Sequence, residues 1–329
     1  MMLDPSPQRV DEIDRRLRDR LSGSLDYLGT FLADGSGTQG PILARMRARL
    51  AAGPVSPWVF GAYAQLVQDL SNRRVDAAHA AFALLDTAVA LPAVTSPAPL
   101  NGPETAKACW DVAHTLFDTD HAKPFAPRKP TDAEAAACVA EIDAGMALLA
   151  DADPACHAEL RALQRVILLG CPRSDAAEDR FNGASTFFLW GGVLLNAAPR
   201  RNPAMMLDLL VHEASHMLLF GLVDGGALSE NDPAARYSSP LRQDPRPIDG
   251  IFHAAFVATR VHLVMTRMLI GRRVPVALMP ALAERADANG RAAVVALALL
   301  RTELRPTPAG KPIFDALAAY WLAANVAHA

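Results

Sequence analysis

The residue pattern most suggestive of chemistry is His212-Glu213-x-x-His216, which lies in the apolar stretch Met205 to Leu222. Positions four apart on an α-helix lie about 40° apart around its axis, so both imidazoles can face one metal ion. Apolar residues recur around the motif at helical spacing, which predicts a buried helix over the whole stretch. The pattern therefore predicts His212 and His216 as metal ligands, with Glu213 on the neighbouring side of the helix.

A third ligand is needed, because two histidines alone hold a metal weakly. We expect it to be His253, near the start of the next predicted helix, which begins near Asp249 and runs to about Ile270. Asp249 lies one helical turn before His253 and could orient its ring or cap the helix. Carboxylates also complete such sites, and the alternatives in this part of the chain are Glu230, Asp232, Asp244 and Asp249.

The metal decides between two reaction classes. With zinc, Glu213 would be the general base that activates a metal-bound water for peptide hydrolysis. With ferrous iron, the protein must leave positions free for a chelating α-keto acid and for dioxygen. An arginine would then be the best partner for the distal carboxylate of that co-substrate, and the candidates are Arg242, Arg246 and Arg260.

Composition limits the other classes of function. The chain has 329 residues, is 51% hydrophobic and carries a net charge of −3, which gives no general attraction to nucleic acid or to an anionic membrane. Its four cysteines show no Cys-x-x-Cys spacing, which suits a reducing compartment. The N-terminal sequence is not typical of a secretory signal, and we expect a soluble cytoplasmic protein without a membrane partner.

Helical spacing of apolar residues dominates the chain, so the predicted fold class is mainly α with a small β-sheet (α+β). Two short apolar stretches, Val166–Leu169 and Thr186–Leu195, favour strands of that sheet, with helix as the competing interpretation of both. Thr131-Asp-Ala-Glu134 predicts a capping box. The loop Gly35 to Gly40 lacks the strand that a dinucleotide fingerprint needs before it, so we expect a connection between helices.

The predicted organisation places the metal helix in the middle of the chain, packed against the helix that follows it. Prolines concentrate between Leu91 and Pro103, which favours a boundary there. We therefore expect a helical N-terminal region (1–95), a metal-binding catalytic region with the small sheet (96–270) and C-terminal helices packed on the core (271–329). The polar stretch between the two metal-site helices is long enough to favour a functional loop.

Two segments together carry a resemblance to a known family: LVHEASHMLL, and YSSPLRQDPRPIDGIFHAAFVATRV further along the chain. They resemble the HExxH-type α-ketoglutarate-dependent peptide β-hydroxylases, which modify ribosomally synthesised peptides during natural-product maturation. The resemblance runs from about Val166 to Val261. Its most specific part is Ser239-Pro-Leu-Arg-x-Asp-Pro-Arg-Pro247, followed by Gly250 and His253.

The resemblance implies an Fe(II) site at His212, His216 and His253, with an arginine of the segment from Arg242 to Arg246 near α-ketoglutarate. Glu213 is carried over as a site residue without an assigned role. The family also implies a precursor peptide as substrate, hydroxylated at a side-chain β-carbon, and leaves room for an accessory leader-binding protein. A peptide could add as a strand along the predicted strand Thr186–Leu195. The other two hypotheses are a zinc metallopeptidase and a non-catalytic peptide-binding module.

Overall fold

The fold is described by a computed structural model, which covers residues 2–32, 39–99, 104–117, 126–174, 176, 179–198, 202–238, 245–271 and 273–327. Within these residues the protein is mainly α-helical with one small mixed sheet, which confirms the predicted fold class. Of the connection predicted from Gly35 to Gly40, residues 35–38 lie outside the described residues, and residues 39–40 begin the second helix.

The helices lie where apolar residues recur at helical spacing. Their bounds are α1 Pro7–Leu32, α2 Gln39–Ala52, α3 Pro57–Ser71, α4 Val75–Val89, α5 Glu104–Phe117, α6 Asp132–Ala152, α7 Pro154–Leu163, α8 Pro203–Leu222, α9 Ile248–Gly271, α10 Met279–Glu303 and α11 Gly310–Ala327. Several begin at a proline, which lacks the N–H that a first-turn residue would leave without a helical partner.

The sheet is mixed, with the strand order β1-β2-β4-β3. The strands are β1 Ala98–Pro99, β2 Val166–Gly170, β3 Gly183–Ser185 and β4 Gly192–Asn196. β2 pairs in parallel with both β1 and β4, and β3 runs antiparallel to β4. Every residue of β2 and β4 is buried, which explains their continuous apolar sequence.

The strand predicted at Val166–Leu169 is confirmed as β2, whereas the strand predicted at Thr186–Leu195 is confirmed only from Gly192 onwards, as part of β4. Residues Phe187–Leu189 form a 3₁₀ turn, because the Thr186 side chain accepts a hydrogen bond from the Phe188 N–H and caps it. Gly191, with a φ of +90°, then redirects the chain into β4. Because β4 is paired on both sides, it offers no edge for the strand addition that the sequence suggested.

Contacts divide the chain into two compact units that interleave along the sequence. The first unit contains Met1–Pro7, Ala140–Leu160 and Arg200–Ala329, and the second contains Gln8–Val139 and Arg161–Pro199. The three sequence regions, 1–95, 96–270 and 271–329, concern the order of elements along the chain and stay a prediction.

The first unit is built around α9, which packs against α8, α10 and α11. The predicted packing of the HExxH helix on the following helix is therefore observed. α8 and α9 are apolar enough and long enough to cross a membrane, but 67% and 72% of their most apolar windows are buried within the protein. Burial of that extent is also what core helices require.

The second unit contains a buried charged cluster beneath the 3₁₀ turn. Asp14 accepts a hydrogen bond from the Trp190 indole N–H at 3.0 Å and forms ion pairs with Arg18 at 2.8 Å and Arg165 at 2.9 Å. All four side chains are less than 10% exposed. One carboxylate thus pairs with two buried guanidinium groups and connects α1 to Arg165, the residue before β2.

Replacing Asp14 by alanine should destabilise the protein by about 3–5 kcal/mol, because it leaves two buried guanidinium groups without their common carboxylate. The free energy of unfolding in urea measures this loss. Asp19→Ala, on the exposed side of the same helix, should change it by less than about 0.5 kcal/mol. Equal losses in the two variants would contradict this account of the cluster.

The predicted capping box is present at the start of α6. The Glu134 carboxylate accepts from the Thr131 N–H at 2.7 Å, and the Thr131 hydroxyl accepts from the Glu134 N–H at 3.2 Å. The Arg128 guanidinium, followed by the Thr131 N–H, lowers the pKa of Glu134 from 4.5 to about 2.

Because its pKa is lowered on folding, Glu134 stabilises the protein above pH 4.5, and this stabilisation is lost as the pH falls towards 2. Glu134→Gln should therefore lower the free energy of unfolding at pH 7 by about 0.5–1 kcal/mol, a small value because the pair is partly exposed. The difference between the two proteins should shrink when urea unfolding is repeated at pH 3. A difference that is independent of pH would refute the role of the charge.

Candidate metal centre

The metal helix α8 is positioned by its cap and by its apolar surface. The Asn202 side chain accepts a hydrogen bond from the Met205 N–H at 3.1 Å, and Pro203 occupies the first turn. Most of the helix surface is buried, but one stripe at four-residue spacing is only half-buried. This stripe contains His212, His216 and Phe220.

α9 brings a third imidazole to this stripe, as the sequence predicted. The ring centroids of His216 and His253 lie 5.6 Å apart, and the rings are inclined by 26°. The ring centroids of His212 and His216 are separated by 4.9 Å. The three predicted histidine ligands are therefore neighbours in the structure, and we call them the imidazole cluster.

The closest approach within the imidazole cluster joins Nδ1 of His216 to Nδ1 of His253, at 3.4 Å. Two nitrogens bound to one ion at 2.0–2.1 Å in tetrahedral geometry would be about 3.3 Å apart. Without an ion, one ring must donate its N–H to the other. The spacing of this pair therefore suits either a shared cation or a hydrogen bond between neutral rings.

The imidazole cluster fits a metal by donor type and by proximity, although its donors do not converge. Within the described part of the chain, no group of three or more His, Cys, Asp or Glu side chains is arranged to hold a metal ion. The His212 ring is inclined by 67° to the His216 ring. Since no such group is arranged among the described residues, bringing all three imidazoles onto one ion requires side-chain rotation.

Burial keeps His253 in the form that binds metals. Desolvation lowers the pKa of His253 to about 4, and the negative charge of Asp249 opposes this shift only in part. The ring is therefore neutral at physiological pH, and a neutral imidazole is the ligand form of histidine. Phe220 packs against it, with the two ring centroids 5.1 Å apart.

The described carboxylates considered as alternative ligands lie in the connection after α8 and in the first turn of α9. Asp249 accepts hydrogen bonds from the Leu228 N–H at 3.3 Å and from the Ser229 hydroxyl. Asp232 accepts from the Ala234 N–H at 2.9 Å. The Glu230 N–H donates to the Arg305 carbonyl at 2.7 Å, which pins this part of the loop. Asp244 lies outside the described residues.

Glu213 lies on the buried side of α8, with 3% of its surface exposed. Around the helix axis Glu213 lies about 100° from His212 and about 60° from His216, on the neighbouring face of α8. A carboxylate in this position is better placed to support the helix and its imidazoles than to meet water from outside. Its role as a site residue stays a prediction.

The three candidate arginines lie in different surroundings. Arg242 is outside the described residues. Arg246 is half-buried just before α9, where its backbone exchanges hydrogen bonds of 2.8 and 2.9 Å with Tyr237. Arg260 is fully buried; it forms an ion pair with Glu159 and donates to the Leu3 carbonyl. The structure therefore does not bring Arg260 to the imidazole cluster, because that guanidinium is engaged in the interior.

Sequence reasoning missed two features of this site. Phe220 falls on the histidine stripe at the same four-residue spacing, and this spacing could have identified it. The pairing of Arg260 with Glu159 spans 101 positions along the chain and has no local sequence pattern.

Neither a protein-family model nor the sequence of a characterised protein matches this chain.

His253→Ala should lower metal affinity at least about tenfold, because it removes the ligand that α9 contributes. The measurement is an anaerobic titration of the full chain with Fe(II), repeated with Zn(II). His79→Ala, an exposed histidine on α4, is the matched control and should leave affinity unchanged. Unaltered affinity in the His253 variant would assign the third ligand elsewhere.

Proposed function

We propose that this protein is an Fe(II)- and α-ketoglutarate-dependent oxygenase that hydroxylates a side-chain β-carbon of a ribosomally synthesised peptide. The observation that carries the proposal is the approach of His216 on α8 to His253 on α9, with 3.4 Å between their Nδ1 atoms and His212 beside them. The family resemblance of these same segments supports iron over other metals.

His212, His216 and His253 would hold the iron. When bound, Fe(II) with α-ketoglutarate and dioxygen supplies an oxidative decarboxylation, in which one oxygen atom enters succinate and the other enters the C–H bond of the substrate, with release of CO₂. Three protein ligands leave positions for a bidentate α-keto acid and for dioxygen.

The surrounding residues have separable tasks. His253 is kept neutral by burial, and Phe220 covers one side of its ring. Asp249 ties the start of α9 to the loop at Leu228 and Ser229, which limits movement of His253. Among the described arginines we assign Arg246 to the co-substrate carboxylate, because it lies two residues before the start of α9 and its backbone is hydrogen-bonded to that of Tyr237.

A zinc metallopeptidase is the second candidate, because the spacing His212-Glu213-x-x-His216 is the one that zinc peptidases use. In that mechanism the glutamate must reach a metal-bound water. The burial of Glu213 favours a supporting role instead. We therefore place hydroxylation first.

The deciding experiment measures succinate formed from α-ketoglutarate by the full chain, reconstituted with Fe(II) and exposed to oxygen. Succinate should form slowly without peptide, and His216→Ala should abolish it. Arg246→Gln should raise the KM for α-ketoglutarate about tenfold, because a bidentate charge-assisted contact is lost. Arg236→Gln, an exposed arginine of the same loop, should leave KM unchanged.

Two results would overturn this proposal. Stoichiometric zinc, no succinate and cleavage of unstructured peptides would assign the protein to the metallopeptidases. Peptide binding with neither iron nor zinc bound would make it a non-catalytic peptide-binding module.

A further inference from the structure

A second candidate site lies in the other compact unit, at a cavity of about 370 Å³ formed by α1, α3 and the 3₁₀ turn. Five of its lining side chains are aromatic: Phe60, Tyr63, Phe187, Phe188 and Trp190. Small-molecule and side-chain binding pockets are usually of this size and are lined mainly by apolar groups with a few polar ones. The cavity therefore has the size and lining of a recognition pocket.

The inner wall of this aromatic cavity is held rigidly. Trp190 is 1% exposed, and its indole N–H is fixed by Asp14, which is itself held by Arg18 and Arg165. A Cβ added at the neighbouring Gly191 would lie 2.6 Å from Nε of Arg165, so the backbone can pass here only as glycine. A wall fixed before binding lowers the entropy that a ligand must lose.

The rim of the aromatic cavity exposes apolar surface that a ligand would cover. Phe188 is 55% exposed and Val67 is 37% exposed. Phe187 and Phe188 stand edge to face, with their centroids 5.9 Å apart. A further aromatic ring can add to such a pair at its edge or its face, a contact that a branched aliphatic group cannot reproduce.

The charged residues along α1 indicate that the ligand carries negative charge beside its aromatic group. Arg20 lines the aromatic cavity and also a shallow depression of about 540 Å³ beside it on α1. The depression is lined by three arginines, Arg15, Arg16 and Arg20, and by two acids, Glu12 and Asp19. The excess of guanidinium groups favours carboxylates.

The shared arginine joins the two hollows into one elongated surface. A single aromatic compound can fill the cavity but cannot also reach along the helix. We propose that this surface recognises a peptide segment in which an aromatic residue, seated among the five rings, is followed by acidic residues that lie along the arginines of α1. The choice of a peptide rests on the proposed function, whereas the aromatic and acidic character rests on the lining residues.

The test uses the full chain without added metal and a short acetylated peptide containing Phe-Glu-Glu in a Gly-Ser background. Binding is followed by calorimetry. Replacing the phenylalanine of the peptide by alanine should weaken binding at least about tenfold, and replacing both glutamates by glutamine should weaken it about fivefold. The contribution of the glutamates should decline as salt is raised.

Variants of the protein locate the contact. Phe188→Ala should weaken binding about tenfold, and it should fold normally because the ring is largely exposed. Tyr27→Ala, an exposed aromatic residue of α1 outside the cavity lining, is its control. Arg20→Gln should reduce the salt dependence, because two of the three arginines remain, and Arg161→Gln, an exposed arginine on α7, should leave it unchanged.

Three outcomes would overturn the inference: no binding of the Phe-Glu-Glu peptide, equal loss in Tyr27→Ala, or binding of free phenylacetate as tightly as the peptide. Tighter binding to vesicles of anionic phospholipid than to the peptide would also refute it. Because no metal is present, peptide binding without succinate formation in the separate assay would leave this site in place and remove only the proposed reaction.

Discussion

The candidate metal centre depends on how α9 is held inside the first unit. This helix is apolar around almost its whole circumference, so hydrophobic packing alone would fix its depth better than its rotation. The rotation is set by polar groups that must find partners when buried. Arg260 meets Glu159 and the Leu3 carbonyl, and Thr259 accepts from the Trp321 indole N–H at 2.9 Å. With these contacts made, His253 faces His216 on α8.

Buried polar groups that require partners also position the elements of the second unit. There, the Asp14 carboxylate pairs with two buried arginines and accepts from an indole N–H, and so connects α1, the entry to β2 and the turn before β4. Trp190, whose indole N–H donates to Asp14, also lines the aromatic cavity. In both units a buried charged side chain, Asp14 or Arg260, has more than one polar partner, as the burial of a charge requires.

In the candidate metal centre, the packing of α8 on α9 positions the three histidines. α8 and α9 present the histidines from a rigid framework, while Asp249, Ser229 and Tyr237 organise the described parts of the connection. Catalytic residues are often carried by such loops on rigid elements. Glu213 is buried, whereas the two histidines that flank it are half-buried.

The sequence by itself determined the helices, the strand β2, the capping box of α6 and the proximity of His212 and His216, because each depends on residues a few positions apart. The sequence also predicted that His253 lies near these two histidines, since consecutive elements of a chain usually lie side by side. Only the tertiary structure decided that Phe187 and Phe188 line a cavity from a 3₁₀ turn, and that Arg260 is engaged with Glu159. These outcomes depend on which distant groups meet in the interior and on the partners that buried charges require, and no local period encodes them.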